Sequence, residues 1–292
     1  MIYRALPILA FGIMSLAASA KQKEMIALAG SGVDKIAIIE KATGTQVWSY
    51  TLPHGTECNT IAVKKNGDVV FSYKQGVKMV DPKGVTIWDY PTGQDAECQT
   101  ARLLPNGNVL AGVCANPARF IELNGKTGKV ISEVNYDLGV DKPHGQFRQI
   151  CKSASGNYLV PVIWAGKVVE INPQGVKVGE WKVPNTPFSV KELASGDLLV
   201  STFGSVVEVN RKSGEIIRTV ASGVIGNSAD TLRFGTEAQP LKNGNTMISN
   251  WQGYLTRGEK QLVELDKNGK IVYTFRDTDV MRNVSGFYLF KK

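Results

Sequence analysis

The chain has 292 residues, of which 43% are hydrophobic and 21% charged, and it contains 30 glycines. This is the composition of an ordinary globular protein, so it excludes a disordered chain, a collagen and a coiled coil. The 34 basic and 26 acidic residues give a net charge of +8. Because the Lys and Arg residues are scattered along the chain and form no run of five or more, we expect no binding to nucleic acid.

The first twenty residues have the pattern of a secretory signal peptide. A short basic start over residues 1–4 precedes an uncharged apolar run over residues 5–17, and residues 18–20 are the small residues that a signal peptidase reads. The apolar run is too short to span a bilayer of about 30 Å, and no later segment is apolar enough, so we expect no transmembrane segment. We therefore expect an exported protein, periplasmic or extracellular, whose residues 21–292 form a single domain.

Two motifs recur along the rest of the chain. In the first, an apolar strand ends in an acidic residue or Asn and is followed by a turn that closes on Gly. Its six glycines are Gly44, Gly84, Gly128, Gly175, Gly214 and Gly269. In the second, a three-residue turn ending in Gly joins two apolar runs. Its five glycines are Gly67, Gly107, Gly156, Gly196 and Gly244. The second motif is typical of a β-hairpin in which a type I turn is followed by a left-handed Gly.

The repeats predict an all-β fold, a six-bladed β-propeller with four antiparallel strands in each blade. The first repeat lacks an inner strand, whereas residues 284–290 form a spare apolar strand at the C-terminus. We expect this strand to complete the first blade, because closing the ring removes exposed sheet edges. An open stack or a two-sheet sandwich is the alternative, but a sandwich would not need six near-equal copies.

Two stretches of the chain resemble known propeller families. The sequence Glu-Lys-Ala-Thr-Gly-Thr-Gln-Val-Trp at residues 40–48 is similar to the repeat of pyrroloquinoline-quinone-type propellers. Residues 80–84, Trp88 and residues 103–110 resemble the blades of bacterial arylsulfotransferase-like propellers. The resemblance implies the propeller fold. The second family also implies a channel histidine that attacks a sulfate ester, with cationic groups around the sulfuryl oxygens.

The enzymes of the quinone-dependent family generally have eight blades, metal-binding carboxylates and a vicinal disulfide. This chain has six repeats and no adjacent cysteine pair, so we expect no cofactor.

Polar residues precede the inner strands and should surround one mouth of the central channel. Both histidines, His54 and His144, lie in Pro-His-Gly sequences at matching positions of two blades, and Glu57 and Glu97 match across adjacent blades. The other candidate ligand-binding residues are Gln146, Arg148, Arg233 and Glu237. Polar groups that converge on a concave mouth are the usual sign of a ligand site. The alternative is that they hydrogen-bond neighbouring loops and fill a wet channel.

These residues favour a scaffold that binds a ligand or another protein through its polar mouth, the partner being a small molecule, a carbohydrate or a protein. The alternative function is an arylsulfotransferase-like transferase, with His54 or His144 as the nucleophile and Arg148 and Arg233 as anion clamps. The acidic residues at the same mouth would repel a sulfate. A glycosidase that uses Glu57 and Glu97 is a third interpretation.

The four cysteines are Cys58, Cys98, Cys114 and Cys151. The chain has no Cys-x-x-Cys pair and only two histidines, so we expect no metal site. Cys98 and Cys114 belong to the strands that flank the Gly107 hairpin, and counting outward from the turn places them opposite each other. A disulfide between them is one interpretation, and free buried thiols are the other.

Overall fold

The computed structural model describes residues 22–224, 231–253 and 258–292, and strands dominate them. The predicted signal peptide, residues 1–20, lies wholly outside the described residues. A short 3-10 helix spans Pro143–Gly145. The strands are, in chain order, β1 (Glu24–Ala29), β2 (Ser31–Glu40), β3 (Gln46–Glu57), β4 (Ile61–Val63), β5 (Val69–Tyr73), β6 (Gly76–Val80), β7 (Thr86–Pro91), β8 (Glu97–Leu103), β9 (Val109–Cys114), β10 (Ala118–Leu123), β11 (Val130–Tyr136), β12 (Cys151–Lys152), β13 (Tyr158–Val162), β14 (Lys167–Ile171), β15 (Lys177–Lys182), β16 (Pro187–Glu192), β17 (Leu198–Thr202), β18 (Ser205–Val209), β19 (Ile216–Ser222), β20 (Gly235–Pro240), β21 (Thr246–Asn250), β22 (Leu262–Leu265), β23 (Ile271–Phe275) and β24 (Gly286–Lys291).

These strands form six four-stranded antiparallel sheets, as the repeats predict, and the sheets are the blades of a propeller. Blade 1 has the order β24-β1-β2-β3, and blades 2 to 6 are β4 to β7, β8 to β11, β12 to β15, β16 to β19 and β20 to β23. The first strand of each blade lies next to the central axis and contacts inner strands of neighbouring blades. Among the described residues, no helix is long and apolar enough to cross a membrane.

The C-terminal strand closes the ring, which confirms the prediction made from residues 284–290. Strand β24 pairs with β1 over six residues, from Glu24 opposite Lys291 to Ala29 opposite Gly286. Phe287 is 1% exposed, and its backbone N–H donates a hydrogen bond to Glu237 of blade 6 at 3.0 Å. The strand that completes blade 1 is therefore also fixed to its neighbour.

The hairpins at the ends of the inner strands have the predicted geometry. At the blade 3 hairpin, Leu104 N–H donates to Asn108 O at 2.8 Å and Gly107 N–H donates to Leu104 O at 2.9 Å. Gly107 has a φ of 84°, a left-handed conformation that only glycine adopts without steric cost. The second sequence motif is thus a type I turn followed by a bulge.

A repeated glutamate joins each of several blades to the next one. Glu122 in blade 3 accepts hydrogen bonds from Asn108 at 2.7 Å and from Lys152 of blade 4 at 2.8 Å. Burial raises the pKa of Glu122, but these donors outweigh it and lower the pKa to about 2. Glu264 of blade 6 has the same arrangement with Asn245 of its own hairpin and Lys41 of blade 1. We call this contact the blade clamp, and its glutamate lies two residues before the acidic residue or Asn that ends the strand in the first motif.

The cysteine pairing expected from the hairpin is wrong. Thr100 lies opposite Gly112, but the register then shifts, so that Cys98 lies opposite Val113 and Glu97 opposite Cys114. Counting from the turn fails because a β-bulge at Gln99 inserts an extra residue into β8. All four cysteines are free thiols, of which only Cys151 is partly exposed.

We expect four thiols to react when the unreduced protein is denatured, and Cys151 to react first in the native protein. Burial raises the pKa of the Cys98 thiol to about 12, and the thiolate is the reactive form. The measurement is alkylation followed by mass spectrometry, with and without denaturant. Cys151→Ser should remove the fast reaction of the native protein, whereas only two reactive thiols after denaturation would contradict the free-thiol state.

Candidate functional site

Five blades contribute side chains to a cavity of about 90 Å³ at the mouth of the central channel. We call it the mouth cavity. The inner strands all begin at this end of the ring, so residues that precede them or start them converge here. The residues that line it include Glu57, Asn59, His144, Arg148, Phe188 and Trp251. Of the candidate residues, Glu57, His144 and Arg148 line this cavity.

Four charged or titratable side chains at this opening form one connected group, the mouth cluster of Glu57, Glu97, His144 and Arg148. Arg148 Nε lies 3.1 Å from Glu57 Oε1, and Arg148 Nη2 lies 2.9 Å from His144 Nε2. His144 Nδ1 lies 2.7 Å from Glu97 Oε2. The matched glutamates of adjacent blades are thus joined through the histidine and arginine of a third region of the chain.

The contacts of His144 fix its tautomer. A guanidinium has only donors, so Nε2 must accept the hydrogen bond from Arg148. Nδ1 then carries the proton and donates it to Glu97. Because both ring nitrogens are engaged, the imidazole is held in one orientation, with no lone pair directed at the opening.

Packing around the 3-10 helix sets the position of His144. A Cβ atom on Gly145 would lie 2.4 Å from the ring of Trp164, so the indole packs directly on the backbone next to His144. Ile163 N–H donates to Gln146 O at 2.8 Å and Trp164 N–H donates to Gly145 O at 3.3 Å. The turn after β13 therefore holds the helix at the mouth.

Glu97 is ionised over a wide pH range. Burial raises its pKa, but hydrogen bonds from His144 and Lys74 outweigh burial and lower the pKa from 4.5 to about 2. Lys74 Nζ lies 3.1 Å from Glu97 Oε1. The second glutamate of the matched pair is therefore a fixed negative charge with three partners, the third being Gln99, whose Nε2 donates to Glu97 Oε2 at 3.1 Å.

We expect Glu97 to make the stability of the protein depend on pH in the acid range. A carboxyl whose pKa is lower in the folded state contributes stability above its unfolded pKa, and this contribution is lost as the pH falls through the folded pKa. The difference in melting temperature between wild type and Glu97→Gln should thus be largest above pH 4.5 and should decrease towards pH 2. Thermal melts across this range test it, with exposed Glu133→Gln as the matched control. A difference that stays constant with pH would contradict the assignment.

Below the mouth cavity, amide side chains fill the channel. Asn59 Nδ2 donates to Gln99 Oε1 at 2.6 Å, and Ser285 Oγ donates to Asn59 Oδ1 at 2.9 Å. Gln149 Nε2 donates to the backbone oxygens of Asn59 and Ser285 at 3.0 and 2.9 Å. These buried contacts link blades 1 to 4 across the axis.

Deeper still, three charged residues cross the channel, and we call them the channel trio. Glu237 is 1% exposed and contacts Arg102 Nη1 at 2.8 Å and Lys191 Nζ at 3.4 Å. Burial raises the pKa of Glu237, but the neighbouring cations outweigh it and lower the pKa. Burial and the charge of Arg102 lower the pKa of Lys191 to about 8. Glu237 was predicted to bind a ligand. It lies beneath the mouth, and its carboxylate contacts Arg102 and Lys191.

The other candidate residues lie apart from the mouth cluster. Gln146 is 1% exposed and exchanges hydrogen bonds with the backbone of Ala115 at 3.1 and 2.8 Å. The Arg233 guanidinium lies 5.8 Å from the centre of the Phe234 ring. His54 belongs to the outer strand β3 and lines a separate pocket with Lys35 and neighbouring residues. The two histidines therefore have different surroundings despite the same tripeptide sequence.

An arc of aromatic rings borders the other side of the mouth cavity. Phe234 makes edge-to-face contacts with Phe188, Phe203 and Trp251, with ring centres 5.7, 4.7 and 5.0 Å apart. Phe188 and Trp251 line the cavity, and Phe203 is 44% exposed. The sequence analysis did not identify this aromatic arc, because its members come from separate segments of blades 5 and 6.

Three groups of the mouth cluster could also bind a metal ion. One ligand atom from each of Glu57, Glu97 and His144 lies within 4.8 Å of the others. Arg148 and Lys74 already neutralise the two carboxylates, so a divalent cation would have to displace them. The expectation of no metal and no cofactor stays a prediction.

Comparison with known proteins adds a family and a well-matched structure. A family model described as Mal s 1 allergenic protein-like matches residues 32–270. Among curated proteins, none matches this sequence. The crystal structure of a protein of unknown function from Bacteroides caccae is 37% identical, with a TM-score of 0.87, and the match covers 92% of this chain and 100% of that one.

More distant structures share the fold alone. A catalytically inactive virginiamycin B lyase from Staphylococcus aureus with quinupristin is 13% identical, with a TM-score of 0.58 and coverage of 94% and 93% of the two chains. The WD40 propeller domain of Doa1 is 11% identical, with a TM-score of 0.57 and coverage of 77% and 71%. A lyase and a WD40 domain are equally similar to this chain, so the fold does not select an activity. The resemblance to quinone-type and arylsulfotransferase-like propellers is not confirmed by these matches.

Proposed function

We propose that this chain, which belongs to the Mal s 1 allergenic protein-like family, is an exported binding module that holds a ring-bearing small molecule or sugar at the mouth of its channel. The observation that carries the proposal is the pairing of two surfaces around one opening. The mouth cluster lies on one side of the mouth cavity and the aromatic arc on the other.

The two surfaces have complementary roles. Aromatic faces offer apolar area with a defined orientation, and a few well-placed polar groups give a pocket its specificity. Exposed Phe203 and Trp164, which are 44% and 61% exposed, widen the surface beyond the cavity itself. A ligand with a flat or pyranose ring can stack on the arc while its polar substituents reach Glu57 and Arg148.

The size of the cavity limits how the ligand binds. Pockets that enclose a small molecule measure about 300–1,000 Å³, whereas the mouth cavity measures about 90 Å³. Beneath it, the channel is filled by amides and the channel trio. We therefore expect the ligand to lie across the mouth and insert only one substituent.

Sulfuryl transfer is the alternative, and the contact between His144 and Arg148 disfavours it. A nucleophilic imidazole needs a free lone pair directed at the substrate, but His144 uses Nε2 to accept from Arg148 at 2.9 Å. Incubation with an aryl sulfate and a phenol acceptor should therefore release no phenol. Release that His144→Ala abolishes would support the transferase instead.

Glycoside hydrolysis with Glu97 as the general acid is disfavoured by the charge state of this residue. A general acid must be protonated at the working pH, whereas the pKa of Glu97 is lowered to about 2.

The binding proposal is tested with a panel of mono- and oligosaccharides and aromatic ring compounds. Compounds that raise the melting temperature are titrated by calorimetry against wild type, the Glu57→Gln/Glu97→Gln double variant and Phe203→Ala. We expect each variant to bind about tenfold more weakly, an effect of about 1.4 kcal/mol. Ile217→Ala, on an exposed outer strand, is the matched control for an apolar truncation. Unchanged affinity in both mouth variants would overturn the proposal.

A further inference from the structure

We propose that the face opposite the mouth carries a separate site for an acidic polysaccharide, formed by lysines at the ends of three neighbouring inner strands. The site is a groove of about 790 Å³, which we call the lysine groove. Its volume falls within the range of about 300–1,000 Å³ typical of ligand sites. It shares no residue with the mouth cavity, so the inference does not rest on the proposed function.

The topology of the ring brings the lysines together. The inner strands begin at the mouth, so their last residues lie on the opposite face. Lys242 follows β20, Lys291 ends β24 and Lys65 follows β4. These three strands are neighbours around the axis. Lys64 and Lys292 extend the same set, so five ammonium groups from blades 6, 1 and 2 line one groove.

The groove has an excess of positive charge. Among the residues that the structure describes, no Asp or Glu lines it. Within the described part of the chain, Lys64 is the only one of its lysines that forms an ion pair, and its Nζ lies 3.9 Å from Asp68. Glu24 lies opposite Lys291 in the pairing of β1 with β24. Lys65, Lys242 and Lys292 are exposed. Like charges this close repel one another, and a bound polyanion would relieve the repulsion.

The wall of the groove is apolar and partly aromatic. Trp48, Tyr288 and Phe290 line it and are half-buried. Tyr288 and Phe290 are stacked, with ring centres 6.3 Å apart. A groove with ammonium groups at its rim and ring faces on its wall is complementary to a ligand that carries both anionic groups and apolar ring faces. Sugars with carboxylate or sulfate substituents have this chemistry.

The number and kind of cations favour a polymer over a single anion. One carboxylate or sulfate needs one or two ammonium groups, whereas five from three blades match charges repeated along a chain. All five are lysines, which act as point charges. Bidentate recognition of phosphates and bases usually uses arginine. No arginine of the described ranges lines the groove, so we favour a polysaccharide over a nucleic acid.

The test measures binding of the protein to polygalacturonate and to dextran sulfate, with neutral dextran as the uncharged control. Lys65→Gln/Lys242→Gln/Lys292→Gln should weaken binding to both acidic polymers at least ~10-fold, and binding should fall as salt increases. The matched control, Lys126→Gln/Lys212→Gln/Lys267→Gln, removes the same charge from exposed turns elsewhere and should change affinity less than ~2-fold. The Glu57→Gln/Glu97→Gln variant should bind the polymers like wild type, which separates this site from the mouth.

Three outcomes would overturn the proposal. Equal losses of affinity in the two lysine variants would show that the polymers bind to the overall positive charge of the protein and not to the groove. Equal binding of neutral dextran would show that the anionic groups are not recognised. Tighter binding of a single-stranded oligodeoxynucleotide than of polygalacturonate of the same charge would assign the groove to nucleic acid. Melting temperatures of all variants confirm that each protein is folded when binding is measured.

Discussion

Removal of residues 284–292 should prevent the protein from forming a stable ring. The deletion takes away β24, which supplies all six pairings to the inner edge of β1. It also removes the fully buried Phe287, and truncation of one buried aromatic residue alone costs about 3–5 kcal/mol. Since a whole domain is stable by only about 5–15 kcal/mol, we expect aggregation and no cooperative thermal transition, measured by size-exclusion chromatography and circular dichroism.

Two further variants make this test specific. Deletion of Lys292 alone removes a residue after the end of β24 and should leave a folded monomer. Phe287→Ala keeps the strand and should lower the melting temperature without aggregation. A protein that lacks residues 284–292 but stays monomeric, with the melting temperature of wild type, would refute closure by the C-terminal strand.

Substitution of Arg102 by Met should destabilise the protein by about 3 kcal/mol or more, because removal of one partner of a buried ion pair leaves a buried charge without compensation. Here the residual charge is Glu237, which is 1% exposed. It would keep hydrogen bonds from Gln239 and Phe287, but among the described residues its one cationic partner would be Lys191 at 3.4 Å. The free energy of unfolding is measured by urea denaturation.

Two comparisons identify the cause of this loss. Arg102→Met/Glu237→Leu replaces the pair with apolar groups and should recover part of the lost stability. Arg218→Met breaks a more exposed pair with Glu208 and should have a much smaller effect. A loss no larger for Arg102→Met than for Arg218→Met would show that the channel trio does not stabilise the ring.

The blades could be predicted because their signals are local. A turn that needs a left-handed Gly, flanked by apolar runs, specifies a hairpin wherever it occurs, as Gly107 shows with its φ of 84°. The register between Cys98 and Cys114 could not be predicted in this way. It depends on the bulge at Gln99, whose side chain bonds to Asn59 in the neighbouring blade, and this contact exists only in the assembled ring.

The candidate site was partly predictable because two of its residues lie at matching positions of two repeats. The matched positions of Glu57 and Glu97 placed both at the mouth, and the structure joins them through His144 and Arg148. The shared Pro-His-Gly sequence suggested that the two histidines occupy equivalent sites, and this was wrong. Trp164 packs against Gly145 beside one histidine, whereas a Cβ on Gly55 beside the other would meet nothing within 4 Å.

The pairing of β1 with β24 determines when the fold can be completed. It joins Met25 to Phe290, almost the two ends of the described chain, and such non-local contacts form late in folding. Until the last residues are synthesised, β1 is an open sheet edge that can pair with the C-terminal strand of another molecule. Refolding at high concentration should therefore yield dimers that have exchanged this strand, whereas dilute refolding yields the closed monomer.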